Sequence, residues 1–244
     1  MVFRQQTIGA YHDPIIKYYQ VDDSQSSRFV LLLDVSKSMY NNGRIRLLNR
    51  AATRFVKDII PNGIELGIIK FSDQSIIIND RNEMETINDE NRKTLARKIP
   101  DSAIGGTAIG NGLLASLELL RKNGKQANGA TIILVTDGNG TVFKPSRIET
   151  VMPEIIKAGI KIDAIGVSIG ADKRLENITE ITGGKVFYMN DDDTATNTFM
   201  ETVFTGFVSE QMDTEVQPVI LKNGNMITIG NRQLIKQIII DREL

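Results

Sequence analysis

The sequence predicts a doubly wound α/β fold: a mostly parallel six-stranded sheet with one antiparallel edge strand and helices on both faces. Three observations carry this. Short unbroken apolar runs recur along the chain, as in strands covered on both faces. Between them lie segments whose apolar residues fall three and four apart, as in amphipathic helices. Parallel neighbours need crossover connections, which are right-handed, and strand–helix alternation supplies them.

The elements follow in order. Phe29 to Val35 is an apolar run and forms the first strand. Ile45, Leu48, Ala52, Phe55, Val56 and Ile59 define one helical face, stopped by Pro61 and Gly63. Ile64 to Phe71 is a second strand, and the turn Ser72-Asp73-Gln74 leads to Ile76-Ile77-Ile78, short enough for a hairpin-paired edge strand. Asn88 to Ile99 reads as a polar surface helix, and Ile109 to Leu120 as a helix with Leu113, Leu117 and Leu120 on one face. Thr131 to Val135 is a buried strand. Ser146 with Glu149 forms a capping-box pattern for a helix running towards Gly159. Ile160 to Val167 is the next strand, and a helix from about Asp172 to Ile181 ends at Gly183-Gly184. Lys185 to Met189 is the last strand of the sheet, and Thr194 to Val208 a final helix with Phe199, Val203 and Phe207 in line.

This α/β domain spans residues 28–210, after an N-terminal extension of residues 1–27. Residues 211–244 change character. Val216 to Ile220 and Met226 to Ile229 flank Lys222-Asn223-Gly224-Asn225, and Ile238-Ile239-Ile240 follows, so this incomplete β-rich tail reads as the start of a truncated β-sandwich-like domain.

Composition removes several classes of function. The 244 residues carry a formal net charge of −1, which removes the electrostatic case for nucleic acid as the main partner. There are no cysteines, and His12 is the single histidine, so disulfides, thiolate zinc sites and multi-histidine metal sites are excluded by inventory. A chain of this size buries roughly 70% of its unfolded surface and needs no staples. No run approaches the ~20 apolar residues of a membrane span, so direct membrane insertion is not expected. The start, Met1-Val2-Phe3-Arg4-Gln5, lacks the apolar stretch of a secretion signal.

In open α/β sheets ligands bind beyond the carboxyl ends of the strands, where strand order reverses. The first strand ends in Asp34-Val35-Ser36-Lys37-Ser38 and the Thr131 strand in Thr136-Asp137-Gly138, with Gly105-Gly106-Thr107 before the Ile109 helix. In the order 3-2-1-4-5-6 the Asp34 and Asp137 strands are neighbours at the reversal. Asp34, Ser36, Ser38, Thr107 and Asp137 offer only hard oxygen ligands, which favour magnesium, manganese or calcium over zinc or copper. Two aspartates balance a doubly charged ion and leave it electrophilic towards an outside carboxylate.

These residues resemble the metal-ion-dependent adhesion site of the von Willebrand factor A domain, and the element order from Phe29 to Val208 resembles that Rossmann-like fold throughout. Within that superfamily the chain is most similar to the A domain of the calcium-activated chloride channel regulators. The carrying stretches are Leu47-Leu48-Asn49-Arg50-Ala51-Ala52, Gly105-Gly106-Thr107-Ala108-Ile109 and Ile178-Thr179-Glu180-Ile181-Thr182-Gly183-Gly184. The resemblance implies that the hydroxyls of Ser36, Ser38 and Thr107 reach the ion, with Asp34 and Asp137 acting directly or through water. It implies a divalent cation, magnesium first, with manganese or calcium as alternatives. It also implies a protein partner presenting Asp or Glu, such as a matrix protein or a membrane channel, at an extracellular or cell-surface location. Lys37, Tyr40, Gly106 and Asn139 form the expected rim against that partner. Two departures stand out: Lys37 replaces a usually small residue, and Asn139-Gly140 stands where many relatives are acidic. The regulators' protease-like region is not carried over, because His-Glu-x-x-His is absent.

The expected function is therefore a non-enzymatic binding module. Two alternatives are an intracellular assembly scaffold and a magnesium-dependent phosphotransferase with Asp34 as nucleophile, which would want an acidic residue where Ser36 stands. Asp73 reads first as a turn residue, Asp191-Asp192-Asp193 as a solvated run, and the glycine-rich stretch from Gly105 to Gly112 lacks the Lys-Ser or Lys-Thr of a phosphate-binding loop. Asn139-Gly140-Thr141 and Asn177-Ile178-Thr179 fit the glycosylation pattern.

Overall fold

The computed structural model describes residues 27–138, 148–168, 171, 173–189 and 203–208, together with the backbone of residues 217–220 and 226–229. Strand β1 (Arg28–Asp34) leads through a 3-10 segment (Lys37–Gly43) into helix α1 (Arg44–Arg54). Strands β2 (Glu65–Phe71), β3 (Ser75–Ile77) and β4 (Glu85–Thr86) precede helices α2 (Asn91–Arg97) and α3 (Ile109–Arg121). Strand β5 (Thr131–Thr136), helix α4 (Ile148–Lys157), strand β6 (Lys161–Gly166), helix α5 (Arg174–Ile181) and strand β7 (Val186–Tyr188) complete the alternation. Residues 203–208 are helical, and β8 (Gln217–Ile220) pairs antiparallel with β9 (Met226–Ile229) in a separate sheet.

The sheet order is β3-β2-β1-β5-β6-β7, parallel except for the hairpin-paired β3. The predicted reversal is present, with β1 flanked by β2 and β5. One strand was not expected: β4 also pairs antiparallel with β2, making seven strands. Two residues are too few to show a period. Asn79 bridges the gap between β3 and β4, accepting from the Ile68 N–H at 2.6 Å and donating to the Leu66 carbonyl at 3.0 Å.

Three boundaries differ from the periodic reading. Regular α-helix in α1 stops at Arg54, and the predicted remainder to Ile59 is a π-turn that carries Phe55 and Val56 into the core. Helix α2 is shorter than the span from Asn88 to Ile99, because the Asn88 side chain accepts from the Glu90 and Asn91 N–H groups and caps it. Helix α5 is regular from Arg174. Ser146, Phe199 and Ile238-Ile239-Ile240 lie outside the described residues.

Alternation along β1 divides the interior. Phe29, Leu31 and Leu33 face α1, α2 and residues 203–208, while Val30 and Leu32 face α3, α4 and α5. Phe204 stacks on Phe55 with ring centroids 4.8 Å apart, and Phe207 meets Phe187 at 5.5 Å, which anchors the last helical residues to the first layer. Each fully buried aliphatic chain contributes roughly 1.5–3 kcal/mol. Helix α3 packs closely because Gly112 leaves room: a Cβ there would lie 3.0 Å from Leu32. The central strands β1 and β5 are buried on both faces along nearly their whole length. Leu33 pairs with Val135, so Asp34 and Thr136 leave the sheet side by side.

Candidate metal centre

Asp34 is fully buried at the end of β1, and both of its oxygens accept hydrogen bonds. The Ser36 N–H donates to Oδ1 at 2.7 Å and the Thr136 hydroxyl to Oδ2 at 2.5 Å. The Thr136 hydroxyl in turn accepts from the Gly138 N–H at 3.0 Å. Burial pushes the Asp34 carboxyl up from 3.8 to about 6, opposed by the hydrogen bonds from Thr136 and Ser36, with nearby Asp137 adding to the rise. A carboxylate so enclosed is poorly placed to attack a substrate, which argues against the phosphotransferase alternative.

The remaining oxygens form a chain. Ser36 Oγ lies 3.0 Å from Ser38 Oγ, and the Ser38 hydroxyl donates to Asp137 Oδ1 at 2.8 Å. Arg44, the first residue of α1, holds the other Asp137 oxygen through Nη1 at 2.9 Å. With Asp34 ionised, the two aspartates and this guanidinium sum to −1.

The predicted third segment reaches the same place by backbone pairing. The Ile104 N–H donates to the Val35 carbonyl at 2.7 Å and the Lys37 N–H to the Gly105 carbonyl at 2.9 Å. Gly105 adopts φ +85°, which favours glycine, and a Cβ there would lie 2.5 Å from Asp73 Oδ2. Asp73 is a turn residue, as expected, and also holds this loop. Its Oδ1 accepts from the Gly106 N–H and its carbonyl from the Asn111 amide, both at 3.0 Å. Thr107 is buried in the loop so fixed. Of the predicted rim, Lys37 is exposed, Tyr40 is 74% exposed and Gly106 is half-buried, while Asn139 lies outside the described residues. Ile104, 76% exposed, adds an apolar rim residue that sequence reading did not single out.

Arg44 and Thr136 were also missed. Thr136 carried a signal, its place beside Asp137 at a strand end. Arg44 carried none, because its role depends on where Gly43 turns the chain into α1.

The donor set fits a hard divalent cation. Ser36 Oγ, Ser38 Oγ and Asp137 Oδ1 are consecutive oxygens about 3 Å apart, with no sulfur or imidazole among them. Among the described residues no group of three or more His, Cys, Asp or Glu converges, so hydroxyls must supply part of any coordination here. Asn177, in the second glycosylation pattern, is exposed on α5, whereas Thr179 is buried with its hydroxyl bonded to the Leu175 carbonyl at 2.9 Å.

Comparison with known proteins agrees with this architecture. Residues 29–202 match the family model of the von Willebrand factor type A domain. The chain is 33% identical over 163 residues to calcium-activated chloride channel regulator 1 of Bos taurus, covering 66% of this chain and 17% of that protein. It is 26% identical over 217 residues to regulator 4 of Homo sapiens, covering 88% of this chain and 23% of that protein. The chain thus spans only about a fifth of these relatives. Among solved structures, a von Willebrand factor type A protein from Catenulispora acidiphila superposes with a TM-score of 0.68 at 18% identity, covering 79% of this chain and 44% of that one. Proximal thread matrix protein 1 from the mussel byssus, solved with a zinc-occupied adhesion-site motif, gives 0.55 at 24% identity, covering 76% of this chain and 47% of that one.

Proposed function

The chain belongs to the von Willebrand factor type A domain family, and from that premise we propose that residues 28–210 form a non-enzymatic protein-binding module that requires a divalent cation. The run of oxygens from Ser36 through Ser38 to Asp137, at the ends of adjacent parallel strands, carries the reading. Ser36, Ser38, Thr107, Asp34 and Asp137 hold the cation, magnesium first, directly or through water, and it supplies an electrophilic position that an Asp or Glu of the partner fills. Lys37, Tyr40 and Gly106 form its rim. Similarity to the chloride channel regulators supports a cell-surface setting and a channel or matrix protein as partner. Among the described residues no helix is long and apolar enough to cross a membrane.

Calorimetric titration of magnesium, manganese and calcium into chelator-treated protein tests the proposal. Saturable binding is expected, lost in Asp34→Ala and Thr107→Ala variants that keep the wild-type circular dichroism spectrum. Absence of binding by the folded wild-type chain would overturn it.

Arg44 supplies a second expected result. Its guanidinium pairs with Asp137 Oδ2, the oxygen opposite the one in the donor run, and places a positive charge on a carboxylate shared with the cation, so Arg44→Gln should tighten manganese binding by about tenfold, the size of ~1.4 kcal/mol of relieved repulsion. Weaker binding in the same titration would show that Arg44 is needed instead to orient Asp137.

A further inference from the structure

Helix α1 carries Arg44, Arg46, Arg50 and Arg54 and no acidic residue, in a chain whose net charge is −1. Arg44 turns inward to Asp137, while Arg46, Arg50 and Arg54 lie on the exposed face. These three, with Lys57, line a groove of about 490 Å³ whose other lining residues are Asn49, Thr53, Asp58 and Asp101. Four cations face two carboxylates. Arg54 lies 4.0 Å from Asp58, so one carboxylate is partly matched within the groove.

The groove adjoins the metal centre at two points. The Arg46 guanidinium lies over Gly43, where a Cβ would be 2.9 Å from Nη2, next to the residue that binds Asp137. The opposite wall is set by Asn49, whose amide donates to the Ile99 and Pro100 carbonyls at 3.1 and 3.2 Å. Asp101 follows Pro100, and the same segment continues to Ile104 and Gly105 beside Lys37. One loop therefore borders both features.

We propose that this groove binds an acidic peptide strand that continues from the carboxylate at the metal centre. The inference deepens the reading of that site and depends on it only for the first carboxylate. Guanidinium groups pair bidentately with carboxylates, so an arginine-lined groove is a carboxylate receptor by its donor geometry. Spacing agrees with an extended strand: Arg46 to Arg54 rises about 12 Å along α1, which roughly four extended residues span. A partner with one acidic residue at the metal and several more on one side of it fits both features together. Arginines of the groove then discriminate among partners that all offer a first carboxylate.

Fluorescence anisotropy with a labelled hexaglutamate peptide and the full chain, in manganese and separately in chelator, tests this, with hexaglutamine as control. Hexaglutamate should bind and hexaglutamine should not. Arg50→Glu should weaken hexaglutamate about tenfold in both buffers, and Arg46→Glu with Arg50→Glu more than either alone. Manganese binding by calorimetry should stay unchanged in Arg50→Glu, which separates groove from metal. If manganese adds nothing but Arg50→Glu still weakens the peptide, the groove stands and the metal reading fails. Hexaglutamate affinity indifferent to Arg50→Glu would overturn the proposal. So would binding of a sulfated oligosaccharide at Arg50 by a chain that ignores hexaglutamate.

Discussion

Asp34→Asn should abolish divalent-cation binding and at the same time stabilise the chelator-treated protein at neutral pH. Both follow from burial of one carboxyl. Its folded value of about 6 lies above the ordinary 3.8, so between roughly pH 4 and 6 the folded state holds a proton that the unfolded state has released. Stability from this group is therefore fully present below about pH 4 and lost as pH rises through 6. The loss reaches about 3 kcal/mol for a shift of about two units. Asparagine carries no charge to desolvate. It keeps an acceptor for the Ser36 N–H and offers an amide donor to the Thr136 hydroxyl. Thermal unfolding in chelator at pH 7 should show the variant higher in Tm by roughly 6–12 °C, and its pH–stability curve should lack the descent between pH 4 and 6. Magnesium should raise the wild-type Tm and leave the variant's unchanged. A variant less stable than wild type in chelator at pH 7 would show that Asp34 is held charged for the fold itself.

Gly184→Ala should be among the most damaging single-methyl substitutions in the chain. A Cβ at Gly184 would lie 1.9 Å from the Ile162 carbonyl oxygen and 2.6 Å from its carbon, both in the backbone of β6. No side-chain rotation relieves that contact, so the strand itself must move. Beside it, Asp163 Oδ1 accepts from the Lys185 N–H at 2.9 Å, a bond that such a shift would break. The expected cost is about 3 kcal/mol, read as a fall in the urea midpoint. Gly183 is the internal control. It has φ +74° with nothing nearby, so Gly183→Ala should cost only about 1 kcal/mol, from backbone conformation alone. Equal losses at the two positions would show that β6 yields easily and that the close approach is not what demands glycine.

The sheet was legible because burial on both faces leaves unbroken apolar runs. Their order located the reversal at which Asp34 and Asp137 meet. Strand β4 was not legible, since two residues carry no period and a side chain, Asn79, does part of the pairing. Asp34, Ser36, Ser38 and Asp137, which hydrogen bonds link into short runs beyond β1 and β5, could be picked out from residue type and position after a strand, and Thr107 from its loop before α3. Arg44 could not, because an arginine opening an amphipathic helix looks like a solvated charge until the turn at Gly43 aims it at Asp137. The groove shows the same limit. Arg46, Arg50 and Arg54 recur at helical spacing as any exposed face does, and only the placement of the segment from Ile99 to Asp101 gives that face an opposing wall.

The hydrogen bond from Thr136 to Asp34 joins residues 102 positions apart, across the parallel pairing of β1 with β5. Closing a loop of that length costs about 4 kcal/mol of chain entropy before any contact compensates it. The site's two carboxylates are thus held by non-local pairing, and a chain emerging from the ribosome has no second carboxylate to offer until β5 has been made and docked beside β1. Assembly of the binding centre is in this sense a late report on the fold. On the proposed function, competence to grip a partner arrives only with the central strand pair in register.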